Sequence, residues 1–174
     1  GSRSDFYVYP AFNPDQPLTE MKDLIFVGYG IEDEKYNDYG KTDIAGKAII
    51  FYNGEPMGAD GKSLITGTEF RSNWSVDWRK KVQLAKKKGA IAVFIIDPNF
   101  EDSQKKNRKA ISAYGWKPVG TNPEGKANDF IPNVFVSPEL AKTILGGKAN
   151  KAENELADLR EGDKFKPVKV KAKI

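Results

Sequence analysis

The chain has 174 residues, enough for one domain with a sizeable core, and 39% hydrophobic and 11% aromatic residues speak against disorder. Its 28 basic and 24 acidic side chains leave a net charge of +4, but the signs are interspersed and no arginine-rich stripe or RNA-type aromatic motif appears, so nucleic acid is not the expected partner. With no cysteine and no histidine, disulfides, CxxC zinc sites, thiol nucleophiles and the commonest metal ligand are excluded.

Gly1-Ser2 reads as an expression-tag remnant, and no apolar run approaches the roughly 20 residues that span a bilayer. Phe6 to Tyr9 is a short β-prone run stopped by Pro10, followed by the loop chemistry of Asn13 to Pro17. Asp23 to Ile31 is a continuous apolar strand that runs into the glycine-bracketed Tyr29. Glu32 to Thr42 is a polar loop bearing tyrosines. Asp43 to Lys47 then turns into a second buried strand, Ala48 to Tyr52, which Asn53-Gly54-Glu55-Pro56 ends.

Met57 to Ser75 is a long connection of the kind used for function or as a surface flap. A helix is predicted from Val76 to Lys88, with Trp78, Val82 and Ala85 on its inner stripe, Lys81 nearer the stripe's edge and Gly89 as its stop. Ala90 to Ile96 is a third buried strand, closed by Asp97-Pro98-Asn99. Glu101 to Asn128 is polar and lysine-rich, its apolar part Ala110 to Trp116 reading as strand or loop. Ile131 to Val136 is another strand. Ser137-Pro138 then starts a helix with a serine N-cap and proline in the first turn, and Gly146-Gly147 stops it. Ala152, Leu156 and Leu159 mark a third helix, and Lys164 to Ile174 alternates as a half-exposed terminal strand. The order is not a regular βαβα alternation, so the chain reads as one α+β domain.

Each chemical motif has a simpler reading beside it. Gly28-Tyr29-Gly30 follows a strand but lacks the third glycine and the helix of a phosphate loop, and Glu32-Asp33-Glu34 would repel phosphate; the glycines let the strand kink while Tyr29 packs against the core. The acids Glu32, Asp33, Glu34 and Asp38, and Asp60-Gly61, raise calcium but match no EF-hand loop, and read as solvated loops. Asp97 is the best single candidate for a two-carboxylate hydrolase, against the reading of a turn residue before Pro98. Ser103 to Lys106 has Ser-x-x-Lys spacing without an apolar face to activate the lysine. Phe70, Trp74 and Trp78 are the aromatic concentration, Trp78 as core and the other two as loop anchors or partner contacts.

Several segments together resemble a known family. Asp23 to Ile31, Tyr36-Asn37-Asp38-Tyr39 and Asp43 to Ile50, then Gly54-Glu55-Pro56, Lys81 to Ala90, Ala92 to Ile96 and Ile131 to Ser137, follow the order of the protease-associated (PA) domain inserted in bacterial zinc aminopeptidases. The resemblance covers residues 23 to 146. It implies a β-sandwich or partly open β-barrel with two to three flanking helices, forming a single domain over 23–174 behind an N-terminal extension over 1–22. It also implies a non-catalytic domain that gates substrate access or mediates protein contacts. Zinc is then expected only in a separate catalytic peptidase domain of the same parent chain, and the location is extracytoplasmic, periplasmic or secreted. No catalytic residue, metal ligand or cofactor is expected in this chain. Tyr29, Phe70, Arg71 and Trp74 are the expected contact residues, toward that domain or a peptide or protein substrate. The alternative is an independent carbohydrate- or peptide-binding module that uses Trp74, Trp116 and nearby tyrosines as stacking platforms.

Overall fold

Four apolar runs build the centre of the molecule. The computed structural model describes residues 5–14, 21, 23–112 and 130–171; Gly1, Ser2, Trp116, Ala172 and Ile174 lie outside the described residues. The strands are β1 (Phe6–Tyr7), β2 (Asp23–Phe26), β3 (Ala48–Tyr52), β4 (Ala92–Ile96), β5 (Asn133–Val136) and β6 (Val168–Lys171). They form one sheet in the order β1-β5-β4-β3-β2-β6. The inner four are parallel, with Phe26 opposite Ile50, Ile50 opposite Phe94 and Phe94 opposite Val134. The two edge strands run antiparallel to their neighbours, Phe6 against Val136 and Val170 against Leu24.

The helices are α1 (Asn73–Val76), α2 (Trp78–Lys87), α3 (Phe100–Lys106), α4 (Arg108–Ile111), α5 (Pro138–Leu145) and α6 (Ala149–Arg160). One sheet face presents Ile25, Val27, Ile49, Phe51, Val93, Ile95 and Phe135 to Val82 and Ala85 of α2 and to Phe100 of α3. The other presents Leu24, Phe26, Ala48, Ile50, Ile96 and Val136 to Ala141 and Leu145 of α5 and Ala152 and Leu159 of α6. Helices on both faces explain why the inner strands are apolar along nearly their whole length, apart from Asp23 and Asn133 at their first positions, since successive side chains point to opposite faces and both faces are covered. In β6, where valine and lysine alternate, Val168 and Val170 are buried and the lysines exposed, as an edge strand with one wet face requires.

The α+β class with flanking helices therefore holds. The sandwich-or-barrel expectation is corrected: the described strands lie in a single open sheet, because helices rather than a second sheet cover its apolar faces. The polar stretch after Asn99 also differs from expectation. It is helical over α3 and α4, held to the core mainly by Phe100 and decorated by the exposed pair Lys105–Glu101 one turn apart. The predicted stop of α2 and start of α5 are in place: Gly89 takes φ +87° after α2, and the Ser137 side chain accepts a hydrogen bond from the Leu140 N–H at 3.1 Å with Pro138 in the first turn, whereas the helix predicted from Val76 begins at Trp78, capped by Asp77. Among the described residues no helix is long and apolar enough to cross a membrane.

Candidate functional site

Parallel strands gather their carboxyl ends on one edge of a sheet, where the loops of such folds display functional groups. Here that edge is formed by Gly28 to Gly30 after β2, Asn53 to Glu55 after β3, Asp97 after β4 and Ser137 after β5. Asp38, Glu55, Lys81, Asp97 and Ser137, all buried, lie along or beneath it.

Asp38 is fully buried, so the expectation of a solvated loop acid is corrected at this position. The chain after β2 kinks at Gly28 and Gly30, φ +52° and +67°, and wraps so that one Asp38 oxygen accepts hydrogen bonds from the Tyr29 and Ile31 N–H groups at 3.0 Å each. The other oxygen accepts from the Tyr36 hydroxyl. A Cβ on Gly28 would sit 2.6 Å from Asp38 Oδ1, and one on Gly30 would sit 2.8 Å from the Phe51 ring, so both positions demand glycine for space as well as conformation. The remaining acids of the loop behave as expected: Asp33 and Glu34 are exposed, and Glu32 pairs with Lys88 at 2.8 Å.

Lys81 of α2 is also fully buried rather than at the edge of the helix stripe. Its ammonium donates to the Gly54 carbonyl oxygen and, at 3.4 Å, to that of Tyr52, which ties α2 to the end of β3. Glu55 accepts from the Ser72 N–H, 2.9 Å to the nearer oxygen, and from the Ser72 hydroxyl. Ser72 Oγ in turn accepts from the Trp74 N–H at 3.2 Å and caps α1, so this hydroxyl is committed to structure. Asp97 accepts from the Tyr7 hydroxyl at 2.8 Å and the Asn99 N–H at 2.9 Å, the geometry of a turn residue.

Burial sets the proton affinities at this edge. Desolvation pushes the Asp38 carboxyl up to about 7, against the pull of Tyr36, the two N–H donors and Lys81. The same effect lowers the Lys81 ammonium to about 7, against the attraction of Asp38 and then Glu55. The Tyr36 phenol is raised by its burial and by the Asp38 charge. These groups fasten two long loops to the sheet. None of them is arranged as a nucleophile with a neighbouring base, and among the described residues no three acidic side chains converge as a metal site would need.

The four expected contact residues fall around this edge. Tyr29 is half-buried, its ring 6.2 Å from that of Tyr52. Burial raises its phenol above the ordinary value; Arg160, by its charge and a hydrogen bond to the phenol, pulls the other way, Asp38 adds to the rise and Arg71 opposes it. Phe70 is 80% exposed and Arg71 is exposed. Trp74 is anchored: its indole N–H donates to Asp33 at 2.8 Å, and Lys80 Nζ lies 4.6 Å from its ring centroid. Phe70 therefore projects while Trp74 bridges the two loops. Trp78 packs against the core, stacked on Tyr9 at 5.8 Å.

From the sequence, Asp38 falls in a solvated loop, Lys81 at a stripe edge and Glu55 only within the breaker after β3, so none of the three is expected as a buried fastening group. Lys81 had a legible signal, since Trp78, Lys81, Val82 and Ala85 recur at i, i+3, i+4 and i+7. A separate, largely apolar groove of about 1150 Å³ lies against α5, lined by Phe94, Val134, Leu140 and Ile144, and none of the expected contact residues borders it.

No family model and no curated protein matches the chain. Among solved structures it is similar to the aminopeptidase from Aneurinibacillus sp. strain AM-1, with 17% sequence identity and a TM-score of 0.35. The match covers 88% of this chain and 28% of that one.

Proposed function

We propose that this chain is a non-catalytic, PA-type accessory domain of a zinc-dependent aminopeptidase, one that gates substrate access or mediates protein contacts. The observation that carries this reading is how the buried polar side chains at the carboxyl edge are used. Asp38 holds the loop that carries Tyr29, Glu55 holds the loop that carries Phe70, and Lys81 holds the end of β3. That arrangement favours rigid presentation of surface residues over acid, base or nucleophilic work. The family resemblance of the sequence and its lack of histidine support the same reading. Under it, zinc belongs to a separate catalytic domain of the parent chain, that domain or its peptide substrate is the partner, and the setting is extracytoplasmic. The carbohydrate-binding alternative has no observation of its own, since Lys80 sits over the Trp74 ring and Asp33 holds its N–H.

The test is biochemical. The purified chain is assayed on aminoacyl-p-nitroanilides with and without added zinc, and zinc uptake is measured by equilibrium dialysis. No turnover and no stoichiometric zinc are expected. Joined to the catalytic domain, the chain is expected to alter KM for long peptides while leaving turnover of the small anilide unchanged. Tight stoichiometric zinc binding, or turnover by the isolated chain, overturns the proposal.

A further inference from the structure

Helices cover both faces of the sheet, but not equally. On the α2/α3 side Val93, Ile95 and Phe135 are at most 2% exposed. On the α5/α6 side their neighbours in sequence, Phe94 and Val134, are only half-buried. Helix α5 carries two apolar stripes one position apart. Ala141 and Leu145 are buried in the core on that face, whereas Leu140 and Ile144, also one turn apart, are half-buried. Covering the sheet needs the first stripe alone. The second lines the groove of about 1150 Å³ together with Phe94 and Val134, and Phe6 of β1, 55% exposed, borders it as well.

The rim of this groove carries charge of one sign. Lys148, just beyond the end of α5, borders it, and so do Lys169 and Lys171 of β6; among the described residues that line it none is acidic. Lys169 answers to Asp43, whose carboxyl the Ala45 N–H, Lys47 and then Lys169 hold below its ordinary value. Lys148 and Lys171 have no ion-pair partner among the described residues, although Asp23 stands opposite Lys171 in the strand register.

Size and chemistry narrow the occupant. Small-molecule pockets occupy roughly 300–1,000 Å³ and hold several convergent polar groups. Here, besides the lysines, the one polar side chain among the described lining residues is Thr143, and its hydroxyl is spent on the Glu139 carbonyl at 3.2 Å. An extended peptide laid on this apolar surface would leave backbone N–H and C=O groups unpaired, while a helix satisfies them internally and needs only apolar anchors. A second copy of this chain would bring the same lysines against one another.

We propose that the groove is a docking site for an amphipathic helix of a partner protein, whose apolar face meets Phe94, Val134, Leu140 and Ile144 and whose acidic flank meets Lys148 and Lys171. This goes beyond the accessory role and does not depend on the parent chain being a peptidase. That role is carried by the carboxyl edge, and neither Tyr29, Phe70, Arg71 nor Trp74 borders the groove. The peptidase assays and the titration below can therefore fail separately.

The protein is titrated by calorimetry with an acetylated and amidated peptide of two Leu-Glu-Ala-Leu-Leu-Glu-Glu heptads, and with the same peptide carrying lysine for every glutamate. The glutamate peptide is expected to bind about tenfold more tightly than the lysine peptide, to weaken as salt is raised, and to shift the amide resonances of residues 134–136 and 140–148. Ile144→Glu puts a carboxylate into the apolar wall and should abolish this binding. The exposed pair Lys148→Glu and Lys171→Glu, changed together, should leave circular dichroism and Tm unaltered and make the lysine peptide the tighter ligand. Because the chain has no cysteine, Thr143→Cys takes a single nitroxide at the groove, which should broaden the resonances of the bound glutamate peptide. Equal binding of the two peptides, or groove resonances that do not move, overturns the assignment. So does palmitate displacing the peptide, a label that broadens residues 113–129 of the free protein, or a dimer in sedimentation that Ile144→Glu dissociates; these give the groove to a lipid, to the chain itself or to a second copy.

Discussion

Removing the Asp38 carboxylate tests how the carboxyl edge is held together. Asp38→Ala leaves the Tyr29 and Ile31 N–H groups and the Tyr36 hydroxyl without their acceptor, in a place where Asp38 is fully buried. Each orphaned buried polar group costs about 1–3 kcal/mol, so the sum is about 3–6 kcal/mol once water entering the void is allowed for. Against a total stability of about 5–15 kcal/mol, that is a severe loss. Asp38→Asn keeps the shape and one oxygen for the two N–H groups, and should cost about 1–2 kcal/mol at neutral pH. The two variants also differ from the parent in pH dependence. Because the folded-state carboxyl titrates at about 7 against an ordinary 3.8, the folded protein holds a proton between those values that the unfolded chain has released. Stability from this group is therefore fully present below about pH 4 and is lost as pH rises to 7. Lys81 acts oppositely on the alkaline side: its penalty is full below about 7 and is relieved as pH rises toward its ordinary 10.5. Urea unfolding followed by tryptophan fluorescence from about pH 4.5 to about pH 10 reads both effects, Asp38 below 7 and Lys81 above it. In Asp38→Asn the acid-side decline should disappear. A decline parallel to that of the parent, or an alanine variant losing less than about 1 kcal/mol, would refute the reasoning.

Gly30→Ala combines a left-handed φ of +67° with a Cβ 2.8 Å from the buried Phe51 ring, whereas Gly40→Ala has φ +54° and nothing within 4 Å. Backbone strain of about 1–2 kcal/mol applies to both and overpacking of about 1–3 kcal/mol only to the first, so calorimetry should show the larger Tm drop for Gly30→Ala. Glu55→Ala removes the acceptor of the Ser72 N–H and hydroxyl; limited proteolysis should then cut within residues 57–76 faster than in the parent, with Glu55→Gln in between. Phe70→Ala, at 80% exposure, should change unfolding free energy by less than about 0.5 kcal/mol, and a loss above 1 kcal/mol would make Phe70 a structural anchor instead of a projecting contact.

Much of the local structure was readable from the chain because it depends on neighbours in sequence. The four apolar runs became the parallel strands, the Trp78-Val82-Ala85 stripe became the inner face of α2, and Ser137-Pro138 began α5. The α3–α4 segment was missed because its helix rests on charge pairs and on Phe100, with little apolar periodicity to reveal it. At the site, the expected surface residues Tyr29, Phe70, Arg71 and Trp74 do lie around one edge, but the sequence could not separate the anchored Trp74 from the projecting Phe70. That difference rests on Asp33, a residue 41 positions away.

By itself, the sequence determined which segments extend and which coil, where glycine and proline interrupt them, and that neither histidine nor cysteine chemistry is open to this chain. Tertiary structure decided that the strands lie in one sheet covered on both faces, and that Asp38, Glu55 and Lys81 leave water to fasten the loops. Backbone propensity and hydrophobic period act over a few residues and are written locally. Burial of a charge depends on which surfaces strand pairing and helix packing bring into contact, and no local pattern encodes that.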